Sequence, residues 1–364
     1  MQELTRLSAQ LRRRIEKAAT IPLWCGRPVR VVDGTCFSMP DTPENQKAFP
    51  QSHQQQPGCG FPIVRAVALF SLATGSLLGL TWGVLRTGEL ELFRQLWTLL
   101  RPGDVLLGDR LFCTYLDLFR LRSKGIDSVM RKHQRRTKSV REVQPLGLGD
   151  RLVDWIKMKP CPKGLTPRQW KRIPQTLRLR EVFFTVTVPG FRSRTLTLAT
   201  TLLDPQAFPA EALIELYRRR WMAELFFKDI KISLGMDILH CKSPQMIEKE
   251  IWMFVIAYNL IRALMLEAAK QYEKDPLRLS FKGTLSTLRQ WTPLFVTVGL
   301  STIKRRALIH ELLNYLARDP VPLRPHRNEP RAIKRRKKNF QLLTQPRQLF
   351  KECLHRNKYQ KPLS

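Results

Sequence analysis

Hydrophobic positions along the chain fall into short continuous runs first and longer periodic stretches later. Residues 1–20 carry a helix-like, largely basic pattern. A short strand is predicted over Val29 to Val32, ending at Asp33-Gly34. The runs FPIVRAVALFS (61–71) and SLLGLTWGVL (76–85), joined by Ala73-Thr74-Gly75, read as a β-hairpin, with a polar loop before them. Between Gly88 and Leu100, apolar residues at 92, 93, 96, 99 and 100 have helical spacing. Pro102-Gly103 stops that helix, and the buried strand DVLLG (104–108) ends at Asp109-Arg110. A second helix over Tyr115 to Lys124 and a strand over Ile126 to Met130 come next.

This order, a three-stranded meander followed by parallel strands with crossover helices, resembles the plan of ribonuclease H-like domains. The fold expected is therefore α/β, a mixed sheet flanked by helices. After residue 131 the pattern changes: 131–180 is basic and Pro-rich, and the segments 178–188 and 194–203 alternate like two antiparallel strands around Pro189-Gly190-Phe191. These read as an all-β insertion. Helical spacing returns from Pro209 to Lys231, and a buried helix spans 244 to 270 with Ser243 as N-cap and Pro244 at its first position. The predicted organisation is an N-terminal helical remnant (1–24), a catalytic domain in two pieces (25–132 and 205–270), a β-rich insertion (133–204) and a helical, basic C-terminal region (271–364).

Charge narrows the partner. The chain carries 63 Lys and Arg against 30 Asp and Glu, a formal balance of +33. A polyanion would relieve that self-repulsion and release its own condensed counterions, which points to nucleic acid. A membrane is the weaker choice: the N-terminus lacks a signal-peptide core, and the most apolar stretch (251–265) is interrupted by Asn259 and Arg262. The seven cysteines form no C-x-x-C pair, which argues against a disulfide framework or structural zinc and fits a reducing cytoplasm.

Two acidic residues, Asp33 and Asp109, end apolar strands, and in open α/β sheets ligands bind at the carboxyl ends of strands. Taken singly, each also reads as a turn residue, because Asp readily satisfies local turns. The helix ELYRRRWMAELFFKDIKISLGM adds Tyr217, Arg220, Glu224 and Lys231 at steps of 3, 4 and 7, which return to one helical face. Asp104, Asp117, Asp127, Asp229 and Asp237 compete, but Asp104 starts its strand, Asp229 lies off the Glu224 face and Asp237 comes after the helix stop at Gly235. His53, His133 and His240 lack metal-ligand spacing.

With these residues in view, the chain resembles the insertion-sequence-four transposases of the DDE transposase and retroviral-integrase superfamily. Tyr217-x2-Arg220-x3-Glu224-x6-Lys231 is similar to that family's Y-(2)-R-(3)-E-(6)-K signature, and the DGT at Asp33 and GDR at Asp109 are similar to its aspartate motifs. The resemblance covers about residues 25 to 350. It implies Asp33, Asp109 and Glu224 as catalytic metal ligands for two Mg²⁺ or Mn²⁺ ions, and phosphate contacts from Tyr217, Arg220 and Lys231. It implies hydrolysis at transposon ends and then strand transfer, on double-stranded DNA, by a homodimer in the bacterial cytoplasm at the nucleoid. Trp155 and Trp170 lie where related enzymes place a base-stacking aromatic, although packing is the stronger expectation for each. Basic runs at 131–141 and 331–338 are expected to track DNA backbone. Only 32 residues precede Asp33, where the family usually carries a terminal-repeat recognition region. The alternative reading is therefore an N-terminally truncated, non-catalytic DNA-binding relic or regulator; a third is a ribonuclease H-like nuclease without strand transfer.

Overall fold

The computed structural model describes residues 1–19, 23–134, 136, 139–162, 164–186, 194–296, 301–322 and 349. The basic run at 331–338 and the turn at 189–191 lie outside them, as does most of the C-terminal region beyond 322. One nine-stranded sheet runs through the molecule. Strands β1 (Val29–Ser38), β2 (Ile63–Ser71) and β3 (Leu77–Val84) form the antiparallel meander. On the other side of β1 lie β4 (Val105–Gly108) and β5 (Asp127–Arg131), both parallel to it. Residues Leu69, Val67, Val31 and Leu107 are fully buried, which is what continuous apolar runs without alternation imply for strands covered on both faces. The ribonuclease H-like mixed sheet flanked by helices is thus present.

The β-rich insertion does not stand apart. Its strands β6 (Val140–Gly147), β7 (Asp150–Ile156), β8 (Thr176–Val186) and β9 (Arg194–Thr200) continue the same sheet, β9 pairing antiparallel with β5, so the order is β3-β2-β1-β4-β5-β9-β8-β7-β6. A short helix (Pro167–Lys171), closed by a capping box at Thr166 and Gln169, interrupts it. Arg180 on β8 is completely buried and forks onto Asp150 of β7 at 2.8 and 2.5 Å, and its remaining nitrogen donates to the Phe208 carbonyl at 2.6 Å. That guanidinium ties the insertion to the loop leading back into the helical part.

Helices cover both faces. Numbered in chain order, α1 (Gln2–Ala18) meets β1 through the Glu16–Arg30 ion pair, α2 (Pro43–Ala48) follows β1, and α3 (Glu89–Gln95) and α4 (Tyr115–Ser123) lie on one face; the helix inside the insertion is α5. Trp155 and Trp170 belong to the apolar cluster on the α3–α4 face, at 0% and 8% exposure. Buried at that level, neither ring is available to stack on a base, so the packing expectation holds and the base-stacking one does not.

The opposite face carries α6 (Ala210–Arg218), α7 (Met222–Lys228), the 28-residue α8 (Pro244–Gln271), α9 (Phe281–Val296) and α10 (Thr302–Ala317). The single helix expected over 209–231 is instead four pieces: α6, a 3₁₀ turn (Arg219–Trp221), α7 and a π-helical turn (Asp229–Ser233). Helix α8 is long and apolar enough to cross a bilayer by composition, yet Ile247, Ile251, Tyr258 and Met265 are buried against the sheet. Its Asn259, which interrupts the apolar stretch, exchanges two hydrogen bonds with the backbone of Leu77 at 2.9 and 2.8 Å. It acts as one more rung on the end of β3.

Candidate active site

The two aspartates come together by register. In the parallel pair, Val31 stands opposite Leu107, and Asp33 and Asp109 are each two residues further on. Side chains two apart share a face, and Val31 and Leu107 both belong to the core cluster on the α6–α8 side. Asp33 and Asp109 therefore emerge on that face at the same level. Strand β1 does not end at Asp33, as expected from Gly34. It continues, paired with β2, to Ser38, and it is the neighbour β4 that stops, at Gly108. The open position beside Asp33 is where β1 outruns its parallel partner.

Helix α7 brings the third carboxylate. Its underside, Ala223, Phe226 and Phe227, is buried, and both phenylalanine rings meet Phe70 of β2 at 5.2 and 5.3 Å between centroids. Glu224 is half-buried on the flank that turns toward the aspartates. Asp33, Asp109, Glu224, Tyr217 and Arg220 line one polar cavity of about 400 Å³, together with Arg110, Arg131 and Gln134. Three carboxylates and three guanidiniums thus face one space. Arg110 and Gln134 were not among the sequence candidates; Arg131 was, as part of a basic run. Arg110 comes directly after Asp109, and Arg131 ends the apolar strand β5, the same strand-end signal that marked Asp109.

Arg220 stands between two of the acids, with N–O distances of 3.7 Å to Asp33 and 3.3 Å to Glu224. Burial opposes its charge, but the surrounding groups, of which Asp33 and Glu224 are the anions at neutral pH, shift its pKa upward on balance. Tyr217 is 7% exposed, and burial pushes its phenol up to about 12, so its hydroxyl keeps its proton at neutral pH. Lys231 is set apart: its ammonium meets Asp237 at 3.1 Å, the Cys36 carbonyl at 3.2 Å and Thr35 at 3.5 Å, beyond Asp33 along β1. Five of the six sequence candidates share the cavity, and Lys231 braces β1 next to it.

The competing acids are all engaged elsewhere. Asp104 pairs with Arg30 at the far end of β4, Asp117 with Arg94, Asp127 with Arg27, Asp229 with Arg262 and Asp237 with Lys231. His53 contacts Arg86 and His240 contacts Glu250, while His133 lines a second basic groove with Arg131 and Lys132. Among the described residues, no three His, Cys, Asp or Glu side chains gather at ion-binding distance. The donor chemistry nonetheless fits a hard cation: all-oxygen, anionic, and open on one side to solvent. Asp33 accepts one backbone hydrogen bond, from Gly34 at 2.9 Å.

Burial, with added repulsion from Asp109 and Glu224, raises the Asp33 carboxyl from 3.8 to about 6 against the pull of the Gly34 amide and Arg220. The folded state then holds its proton where the unfolded chain has lost it, from roughly pH 4 to 6. Stability associated with this group is present below that window and lost as pH rises through it. Thermal melting in chelator should therefore show a decline from pH 4 to pH 6 that is shallower in Asp33→Asn, the window being that of the raised carboxyl. An identical decline in the variant would contradict this.

Comparison with known proteins places the chain in a family. The family described as Transposase DDE domain matches residues 24–260. Transposase InsG for insertion sequence element IS4, of Escherichia coli (strain K12), is 29% identical over 322 residues, covering 86% of this chain and 69% of that protein. A piggyBac transposase synaptic complex with hairpin DNA, solved by cryo-EM, aligns with 86% of this chain at 10% identity and a TM-score of 0.42, and this chain spans 62% of its length. The family match takes in well over half the sequence, both aspartates and the Tyr217–Lys231 segment, and the chain belongs to the DDE transposases of the insertion-sequence-four type.

Proposed function

We propose that the chain breaks and joins DNA strands at the ends of its own mobile element, with Asp33, Asp109 and Glu224 holding divalent cations. The observation that carries this reading is the convergence of two register-matched strand aspartates and a helix glutamate on one cavity rimmed by Arg110, Arg131 and Arg220. Members of the family use divalent metal ions. Here three carboxylates would take Mg²⁺ or Mn²⁺, which when bound stabilise charge on attacking and leaving oxygens of an in-line displacement.

The chain's own residues supply the rest. Arg220 offers a planar fork to a phosphate, with Tyr217 stacked beneath it at 6.0 Å and able to donate its hydroxyl proton. Arg110 and Arg131 neutralise the flanking phosphates. The groove lined by Arg131, Lys132, His133, Gln134 and Arg151 continues from the cavity across the inserted strands, giving the basic run at 131–141 a place along the DNA backbone. Lys231, already neutralised by Asp237, would reach phosphate by exchanging that partner. Water as nucleophile gives hydrolysis; a DNA 3′-hydroxyl in the same position gives strand transfer. A synaptic dimer working in the bacterial cytoplasm completes the reading.

The test is whether purified protein nicks DNA carrying the element ends in Mg²⁺ or Mn²⁺ and joins the freed end to a target. A binding-only relic of transposition would hold DNA with an affinity that falls ~10³-fold or more between low and moderate salt, as expected for many phosphate contacts, and would never cut.

A further inference from the structure

The helix that carries Glu224 is irregular at both ends. Between Arg219 and Ser233 it passes from a 3₁₀ turn to seven α-helical residues to a π turn, and so lacks the long regular ladder that would fix where its side chains point. π turns are rare and favour functional sites because they re-aim the side chains beyond them. Phe226 and Phe227 seat the α-helical part on Phe70, and the contact that grips the start of the π turn comes from Arg262.

Arg262 interrupts the apolar stretch of α8 and is 3% exposed. Its guanidinium donates to Asp229, the first residue of the π turn, at 2.7 Å. It also donates to the Tyr258 hydroxyl at 3.0 Å, which in turn donates to the Gly75 carbonyl at 2.6 Å. Its flat face lies 5.0 Å from the ring of Phe226 on α7 and 5.0 Å from that of Phe281 on α9. The fit at the β2–β3 turn is close. Gly75 has φ +68°, and a Cβ there would come within 3.1 Å of the Arg262 guanidinium carbon. One cation therefore touches the hairpin turn, α7, the π turn and α9. Asp229 lies five residues beyond Glu224, about 140° around the axis, so Arg262 grips the back of the helix whose front faces the aspartates.

We infer that Arg262, acting through Asp229, is a positioning residue that fixes the rotation of the Glu224 helix over Asp33 and Asp109, and the placement of the π turn that carries Lys231. This rests on the catalytic reading above. Misplacement of a catalytic group by about 1 Å costs up to ~10²-fold in rate, so a device of this kind should appear in the rate constant and not in DNA affinity.

The experiment compares Asp229→Asn, Arg262→Met and Arg262→Lys with a control, Asp104→Asn, which loosens a different buried pair, Arg30–Asp104, at the remote end of β4. Single-turnover nicking, DNA affinity, thermal melting and hydrogen exchange are measured on the full chain. Asp229→Asn and Arg262→Met should lower the nicking rate ~10-fold or more with DNA affinity within ~2-fold, Arg262→Lys recovering part of the rate. Amides of residues 222–234 should exchange faster in the first two variants and not in Asp104→Asn, which melts earlier but cuts at the wild-type rate when folded. If Asp229→Asn cuts normally, or Asp104→Asn loses as much rate for the same loss of stability, the positioning role is wrong. A wild type that never cuts overturns the catalytic reading itself, a different outcome.

Discussion

Glu224→Gln is expected to abolish metal-dependent nicking, by ~10³-fold or more, the scale on which removal of a charged transition-state contact acts. The substitution is isosteric and half-buried, so α7 should keep its seat on Phe70, which depends on Phe226 and Phe227 and not on the carboxylate. Arg220 loses one of its two anionic neighbours and keeps Asp33. DNA affinity should hold or rise slightly, because one negative charge leaves a cavity that faces phosphate. The measurement is a paired one, nicking of end-bearing DNA in Mg²⁺ alongside a binding isotherm. Loss of binding in step with cutting would move Glu224 from chemistry to architecture.

The largest stability effect is expected at Arg180. The guanidinium is fully buried, forks onto Asp150, and caps the Phe208 and Asp204 carbonyls at 2.6 and 3.3 Å. Arg180→Met leaves the Asp150 carboxylate buried and unpaired and two carbonyls without a donor. Breaking a buried pair from one side costs about 3–5 kcal/mol, which should appear as a lowered urea midpoint. Because Phe208 lies just before α6, the damage should extend to the entry of the Tyr217 helix. Destabilisation below about 1 kcal/mol would mean the site relaxes or takes up water.

Much of this was legible in the chain, and the exceptions have physical causes. The central strands were visible because burial on both faces demands unbroken apolar runs, as in VRVV and DVLL. Strands β6 and β7 were not. Six of the eight residues of β6 are exposed, it carries Pro145 and lies at the sheet edge, where the proline and the charged pair Arg141-Glu142 guard against further pairing and erase the apolar signal. Packing was the stronger expectation for Trp155 and Trp170, and both are buried in the cluster on the α3–α4 face, Trp170 against Tyr115 of α4. For the site, the spacing of Tyr217, Arg220, Glu224 and Lys231 correctly assembled the first three around one cavity, although the segment is not one regular helix. The π turn, which no local propensity encodes, sends Lys231 to Cys36 and Asp237. Asp33 was placed by its glycine at a strand end; the strand in fact continues, and the opening arises because β4 is short. That depends on the relative lengths of two strands 70 residues apart in the chain, which no local pattern reports.

The central claim is that the three-carboxylate cavity breaks phosphodiesters with divalent metal. Its most direct measurement is analysis of strand ends after incubating wild-type protein and Glu224→Gln, side by side, with end-bearing DNA in Mg²⁺ and in chelator. The account predicts breaks leaving a 3′-hydroxyl that is later joined to target, seen with wild type in Mg²⁺ alone. Cutting that persists in chelator, or that Glu224→Gln performs at the wild-type rate, would contradict it.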